Sequence, residues 1–485
     1  MVIFDVEADN VGIICVSGIR AERGGKLKVK ITIEKFGPIN KFEYDLEKDL
    51  IITYGNNNIG KSYAMQIVYL LLKTFIHNMF IMPEAKVYLY PHHIDSSLPE
   101  GRLESLVRIF MESDEQTKDI TQDIVAEVSY LTGLAVMPVF LNSCRNTFGN
   151  FEIILENNPV ITIDYDSYHY EIDLKAGTIN GKIGRKPVRL CKTGTNLQKP
   201  TNTLDYLDIY VSDQTEKNME LILEQINFTF MKFFYLITSN LKDVYFLPAS
   251  RSGIYAGMNA FGSIVAELSQ NRAYITKKIE FPGISEPISD YFIALSNIKS
   301  RANEGLQEIY GSIEDDILKG KVTFDKSKNA LMYTPEHVNL SYEMTEVSSM
   351  VSEISPIVAF LKYIITTEKS KSKSILFIEE PEAHLHPNNQ IALIEIFARL
   401  IEEDVKLIMS SHSNYVFNKI NNLILAKKLD YHFYDPIVLE DREKGSVSKH
   451  VTVDELGSDD ENFADVSQHL YDEREEIIEK LNTED

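Results

Sequence analysis

Polar and apolar residues alternate along Lys26-Leu27-Lys28-Val29-Lys30-Ile31-Thr32-Ile33, the period-2 pattern of a half-buried strand. Phe36-Gly37-Pro38-Ile39 is a turn signal. A second strand, Leu50-Ile51-Ile52-Thr53-Tyr54, ends in a glycine- and asparagine-rich loop, and a helical pattern runs from Tyr63 to about Phe80. From about 84 to 243 the pattern changes and reads as inserted material. Arg102 to Leu134 is mostly helical in pattern. Phe151 to Arg185 is strand-rich, through Glu152-Ile153-Ile154-Leu155, Val160-Ile161-Thr162-Ile163 and Tyr168-His169-Tyr170-Glu171-Ile172. A helical stretch from about Leu204 to Leu241 closes the insertion.

Beyond it, Val244-Tyr245-Phe246-Leu247-Pro248 predicts a buried strand, and helices are expected over 256–318. A hairpin is expected around Asp325 to Asn329, then a helix from Ser348 or Ser349 to Thr366. Two apolar runs, 374–378 and 405–409, predict buried strands joined by a helix from about Asn389 to Glu402. A charged amphipathic helix, Tyr471 to Leu481, is expected to pack on the body. No sustained heptads and no repeat period stand out.

Composition narrows the class. The chain has 485 residues, 44% of them hydrophobic and 25% charged, which fits a folded protein of about three domain-sized units or one core with a large insertion. No apolar run approaches the roughly 20 residues of a membrane helix, and the first residues lack signal-peptide character. Cys15, Cys144 and Cys191 are widely spaced, so neither a disulfide framework nor a zinc pattern is expected. The expected location is a reducing cytoplasm, with no membrane partner. The net charge of −23 argues against a general nucleic-acid coat, although a local patch (Lys182, Arg185, Lys186, Arg189, Lys192) leaves DNA contact open. That patch reads more simply as a solvated loop. The acidity also suits docking of a basic partner.

Three motifs carry chemistry. The first is Gly55-Asn56-Asn57-Asn58-Ile59-Gly60-Lys61-Ser62, followed by Tyr63, which fits G-x-x-x-x-G-K-[ST] between a strand and a helix. Glycines let backbone N–H groups wrap a phosphate, and the helix N-terminus adds a positive dipole end. Lys61 would reach the β- and γ-phosphates of ATP, and the Ser62 hydroxyl would bind Mg²⁺. The second is Ile375-Leu376-Phe377-Ile378-Glu379-Glu380-Pro381-Glu382-Ala383-His384-Leu385-His386-Pro387. Neighbours on a strand point to opposite sides, so Glu379 can hold Mg²⁺ while Glu380 polarises the attacking water as general base. His384 and His386 lack further ligands in a metal-site spacing and read as structural or subunit-contact residues. The third is Val405-Lys406-Leu407-Ile408-Met409-Ser410-Ser411-His412-Ser413, whose histidine is placed to meet a γ-phosphate or the attacking water.

Lys61 and Glu379 lie 318 residues apart, the organisation of ABC-type ATPases, in which a subdomain carrying a signature helix intervenes. The segment Leu340 to Glu353 stands where a signature belongs, with Ser348 or Ser349 offering a hydroxyl and N–H groups at a helix start. Together, Gly-Asn-Asn-Asn-Ile-Gly-Lys-Ser, Glu-Glu-Pro-Glu-Ala-His-Leu-His-Pro and Ser-Ser-His-Ser resemble the OLD-type ABC ATPases, relatives of the RecF and SMC heads. The resemblance covers about 24–75 and 244–420. Phe246 to Gly253 also resembles that group's Pro-Ala-x-Arg element, which implies that Arg251 lies close to the nucleotide or the dimer interface. Two positions depart from the pattern: Glu379 replaces the usual Asp, and Met350 stands where the signature glycine is expected, which bears on turnover. Only 73 residues follow His412, too few for a Toprim domain of roughly 100 residues as well as the ATPase's last elements. The acidic run Asp459-Asp460-Glu461 therefore reads as a loop.

The expectation is an α/β fold: an ABC-type P-loop ATPase head with a long mixed α+β insertion between Walker A and Walker B. Its parts are 1–83 (core with P-loop), 84–243 (inserted sensor or oligomerisation element), 244–430 (signature, Walker B and His412) and 431–485 (effector docking). The resemblance implies a homodimer or higher oligomer with a separate effector, such as a Toprim or HNH nuclease, and a phage-derived trigger, as in the PARIS and Septu systems. The rivals are a RecF/SMC-like DNA-repair ATPase, a nucleotide-switched scaffold with little hydrolysis, and a transporter subunit, whose Leu-Ser-Gly-Gly-Gln signature is absent.

Overall fold

A computed structural model describes residues 29–85, 100–165, 168–182, 188–192, 207–211, 222, 241–257, 284–298, 301–365, 373–459, 471–475 and 477–478. The expected alternation opens it. β1 (Val29–Phe36) buries Val29, Ile31, Ile33 and Phe36, and pairs antiparallel with β2 (Ile39–Asp45). β3 (Leu50–Gly55) is buried at every residue and delivers the chain to α1 (Lys61–Ala85).

The inserted region contains α2 (Glu100–Glu112), β4 (Thr117–Asp119), α3 (Thr121–Thr147) and α4 (Phe151–Glu156). β5 (Val160–Tyr165), β6 (Tyr168–Asp173), β7 (Thr178–Lys182), β8 (Val188–Lys192) and β9 (Leu207–Val211) follow. Three expectations are corrected here. Residues 152–155 are helical, not a strand, because Phe151, Ile154 and Leu155 fall on one helical face and are buried together. The helical pattern of 102–134 is broken by β4, which pairs with β8. Within the predicted helix of 204–241, residues 207–211 form a strand parallel to β8; most of the rest of that stretch lies outside the described residues. Of the basic patch, Arg185 and Lys186 also lie outside them.

β10 (Leu241–Leu247) returns the chain to the core, and α5 (Glu286–Ser296), α6 (Gln307–Ser312), β11 (Gly320–Asp325), β12 (Ala330–Pro335) and β13 (Tyr342–Glu343) form a second layer. The predicted hairpin is β11–β12. α7 (Ser349–Ala359) continues as a wider helical turn over Phe360–Ile364. β14 (Lys373–Glu379), α8 (Pro387–Glu402), β15 (Val405–Ser411) and α9 (Asn414–Leu425) follow in the predicted order. β16 (Tyr434–Glu440) and β17 (Ser446–His450) come last.

Eleven of these strands form one sheet, ordered β10-β14-β15-β3-β16-β17-β2-β1-β5-β6-β7. From β10 to β16 neighbouring strands run parallel. From β2 through β1 and β5 to β7 they are antiparallel. The insertion is thus joined to the core sheet through the β1–β5 pairing. The segment after 430 is likewise no appendage, since β16 lies directly beside the P-loop strand. At the C-terminus, residues 471–475 and 477–478 are helical and exposed, so the expected packing of that helix on the body is not found among them.

Side-chain alternation builds a core on each face. Ile51, Ile375, Phe377 and Ile408 belong to the core that includes residues of α1 and α3, while Ile52, Leu376, Ile378, Leu407 and Met409 belong to the core that includes residues of α7, α8 and α9. Each such side chain contributes about 1.5–3 kcal/mol on burial. Two-sided burial explains why β3, β14 and β15 read as continuous apolar runs. No single helix among the described residues is long and apolar enough to cross a membrane.

Candidate nucleotide site

The P-loop needs its glycines where they stand. Gly55 has φ 140° and Gly60 φ 103°. A Cβ on Gly55 would lie 2.7 Å from the Leu439 carbonyl oxygen, and one on Gly60 2.9 Å from Pro38 and Ile39. Asn58 supplies a third left-handed position at φ 62°, which asparagine tolerates. The loop therefore turns tightly between β3 and α1 and is pressed against β2 and β16. Lys61 folds back over it, its Nζ donating to the Gly55 and Asn56 carbonyls at 2.9 and 2.6 Å. Burial lowers the Lys61 pKa to about 8, with the Glu380 and Glu382 carboxylates opposing that shift.

β14, β15 and β3 are parallel neighbours, so their carboxyl ends meet at one edge. Glu379 stands in register with Ser410, and Ser411 with Tyr54. Glu379 is buried, and burial raises its pKa, against the Ala249 amide and the Ser62 hydroxyl. Ala249 N–H donates to Oε2 at 3.1 Å. Oε1 is buried without a hydrogen-bond partner. An anionic oxygen left bare beside a serine hydroxyl suits Mg²⁺, a hard cation that takes a few protein oxygens and draws its remaining ligands from phosphates and water. No cluster of three or more His, Cys, Asp or Glu that could hold a metal ion is present among the described residues.

Glu380 turns the other way. Its φ is 43°, its side chain is 42% exposed, and its Oε1 lies 3.6 Å from His412 Nε2. Burial and the Lys61 charge lower the His412 pKa, with Glu380 opposing, which favours a neutral imidazole at pH 7. Asn57, Asn58, Lys61, Ser62, Glu380 and His412 line one pocket of 550 Å³, with Gly60, Tyr63, Pro38 and Ser410. Residues of all three motifs therefore meet at this pocket, while Glu379 lies buried beside the Ser62 hydroxyl and is not part of the lining. Tyr63 reaches the pocket wall while its ring packs on Phe148, 5.0 Å between centroids.

Other expected residues lie elsewhere. Arg251, expected close to the nucleotide or the dimer interface, is fully buried and does not itself line the pocket. Its guanidinium donates to the carbonyls of Pro248, Glu353, Glu379 and Glu380, and it pairs with the Glu353 carboxylate at 3.4 Å. It braces the end of β14 from behind. Ser348 caps α7, its side chain accepting from Val351 N–H, and Ser352 Oγ donates to the Ser349 carbonyl. Both serines are exposed and neither lines the pocket. His386 is the N-cap of α8, its ring accepting from Asn388 N–H. Sequence reasoning missed Glu353 and Glu382, two buried carboxylates one layer behind the site. The nearest signal for Glu382 was its place in the Glu-Glu-Pro-Glu run.

No curated protein matches the chain. Among solved structures it is similar to an SMC head bound to the C-terminal winged-helix domain of ScpA, with 9% identity, TM-score 0.34, and coverage of 88% of this chain and 97% of that one. It is similar also to the SMC head domain from Thermotoga maritima, with 9% identity, TM-score 0.33, and coverage of 87% and 98%. The model of the family described as AAA ATPase domain matches residues 28–417, most of the chain and all three motifs. With a P-loop on β3, an acidic strand β14 and the histidine strand β15 between them, this α/β protein belongs to the AAA ATPase domain family.

Proposed function

We propose that the chain binds ATP with Mg²⁺ in this pocket and hydrolyses it to ADP and phosphate. The observation that carries this reading is the meeting of Lys61, Glu380 and His412 at one 550 Å³ pocket whose floor is a P-loop. Lys61 leaves the Gly55 and Asn56 carbonyls to bind phosphate oxygens. Ser62 and Glu379 would hold Mg²⁺, which would supply neutralisation of phosphate charge. Glu380 takes a proton from the attacking water as its oxygen bonds the γ-phosphorus and the bond to the β–γ bridging oxygen breaks. His412 hydrogen-bonds the transferring group.

The reading extends to assembly. Ser348 and Ser349 are exposed at the start of α7 and absent from their own pocket, which supports a homodimer or higher oligomer in which each signature meets the partner's nucleotide. ATP would lock that oligomer, and the oligomer would control a separate effector nuclease in anti-phage defence. The inserted region would sense the trigger, and the segment after 430 would dock the effector. A second reading, a scaffold switched by binding alone, is favoured by Met350, which packs against the core beneath the α7 start where a glycine would let backbone approach phosphate.

Turnover and oligomer mass of wild type, Lys61→Ala and Glu380→Gln decide between them. Wild-type hydrolysis, loss of turnover in Lys61→Ala and an ATP-trapped oligomer of Glu380→Gln support the enzyme. Oligomerisation with ATP but background turnover in both wild type and Glu380→Gln supports the scaffold. Intact hydrolysis in Lys61→Ala sinks both.

A further inference from the structure

Glu382 sits in the turn between β14 and α8, is 8% exposed and does not line the nucleotide pocket. Its Oε1 accepts two hydrogen bonds, from Ser411 Oγ at 2.7 Å and from the His412 amide at 2.9 Å. Its Oε2 is buried with no partner. A buried carboxylate is costly to keep, and this one is only half satisfied, so its presence needs a reason beyond packing.

The surrounding bonds supply one. Ser411 Oγ, while donating to Glu382, accepts from Ser413 N–H at 3.1 Å. Ser413 Oγ in turn donates to Gln390 Oε1 of α8 at 2.6 Å, and Gln390 Nε2 donates to the Leu385 carbonyl at 3.0 Å. The backbone of residues 411–413 is therefore clamped to the turn after β14 on both sides of His412. Only the His412 side chain is left to project, and its Nε2 meets Glu380. Glu380 and Glu382 leave the same turn in different directions, one to the pocket and one to the histidine's backbone.

We infer that Glu382 is a positioning residue that sets the distance between His412 and Glu380 by holding the Ser411 hydroxyl and the His412 amide on one carboxylate oxygen. The inference rests on the proposed ATP hydrolysis for its catalytic consequence, but the clamp itself is independent of it. What the clamp requires is an acceptor. Glutamine keeps one carbonyl oxygen at that place and alanine keeps none.

The test uses the full chain with Glu382→Ala, Glu382→Gln, Ser411→Ala, His412→Ala and the Glu382→Ala/His412→Ala double variant. Three quantities are read: kcat for ATP, nucleotide Kd, and hydrogen exchange of the His412 amide. Glu382→Ala is expected to lower kcat about 10- to 100-fold, the rate equivalent of losing charge-assisted hydrogen bonds, with Kd unchanged. Glu382→Gln is expected to restore most of it, and adding Glu382→Ala to His412→Ala to cost nothing more. The His412 amide should be protected in wild type and Glu382→Gln and exposed in Glu382→Ala. Ser411→Ala, which removes one of the two donors, serves if Glu382→Ala does not fold, and should give a smaller loss that disappears in the His412→Ala background.

A wild-type rate in Glu382→Ala, an additive loss in the double variant, or an unprotected His412 amide in wild type overturns the inference. A wild type that does not hydrolyse ATP, but whose amide protection follows Glu382 as described, upholds the clamp and defeats the proposed activity. Lys61-dependent hydrolysis untouched by Glu382→Ala does the reverse.

Discussion

In the parallel half of the sheet, β14, β15 and β3 bring their carboxyl ends to one edge. There Glu380, Ser410, His412 and the P-loop line a common pocket, with Glu379 buried at the end of β14. In the other half, β1, β2, β5, β6 and β7 run as antiparallel pairs, and their ends are divided between two edges. The buried side chains of that half include Ile31, Ile33, Ile161, Ile163 and Ile172, and the His169–Asp164 pair at the β5–β6 end, 2.7 Å apart, is nearly half exposed and not part of the pocket lining. Strand direction alone separates the two. Parallel strands put polar residues that follow apolar runs on the same side of the molecule, whereas hairpins alternate sides. The antiparallel half serves the site indirectly, since Pro38 and Ile39 press on Gly60 from the turn and strand they occupy.

The largest effect that would sharpen this contrast is at Glu380. Because its side chain is 42% exposed and pairs only loosely with His412, Glu380→Gln should leave the melting temperature within a degree or two. ATP turnover should fall by about 10²–10⁴ if Glu380 is the base. Steady-state hydrolysis and a thermal melt check both. A large loss of stability with little loss of rate would move Glu380 from the chemistry to the framework.

Arg251→Ala tests the framework behind the pocket. It removes the cation from a fully buried pair and leaves Glu353, 1% exposed, holding only the Arg251 amide and the Ser252 amide and hydroxyl. Stranding a buried carboxylate costs about 3–5 kcal/mol, to be measured by urea unfolding. Turnover should fall as well, because the Glu379 and Glu380 carbonyls lose their donor. Loss of rate at full stability would instead place Arg251 nearer the nucleotide than its burial indicates.

These cases show what was legible in the chain. The P-loop could be read because phosphate binding constrains eight consecutive residues, and Glu379, Glu380 and His412 because each ends an apolar run long enough to be a buried strand. The role of Arg251 could not be read. Its partners at 353, 379 and 380 are distant in sequence, and a buried guanidinium leaves no local period. Glu382 was hidden for the same reason, since its bonds cross to Ser411 and His412 from a turn that reads as mere punctuation. The short segment 152–155 was misread because four residues of one apolar cluster fit a strand and a two-turn helix equally well. The placement of β16 beside β3 was out of reach because pairing partners 384 residues apart, Leu50 and Tyr434, are set by the sheet as a whole.

In the antiparallel half, a core truncation should act on stability alone. Ile163 is 1% exposed, lies opposite Ile31 on β1 and Tyr170 on β6, and is remote from the pocket lining. Ile163→Ala is expected to cost about 2–5 kcal/mol in chemical unfolding, with ATP turnover per folded molecule unchanged. A drop in specific rate would show that the β1–β5 pairing carries strain to the P-loop.

The smallest effect concerns pH, at the border between the halves. His450, at the end of β17, contacts Asp435 of β16 at 2.8 Å, and Glu43 of β2 and Lys30 of β1 face it from the other side. The hydrogen bond to Asp435 raises its pKa above the ordinary histidine value, against burial and the Lys30 charge. A pKa raised on folding means that the folded state holds the proton more tightly. The pair's stabilisation is therefore complete below pH ~6.5 and is lost as pH rises through the folded-state value. With a third of the ring exposed, solvent screening keeps the effect under about 1 kcal/mol. The melting temperature of wild type relative to His450→Gln should converge as pH rises from 6 to 9, while relative ATP turnover stays flat. A gap that instead widens with pH would mean that His450 is held neutral, with Asp435 accepting from an uncharged ring.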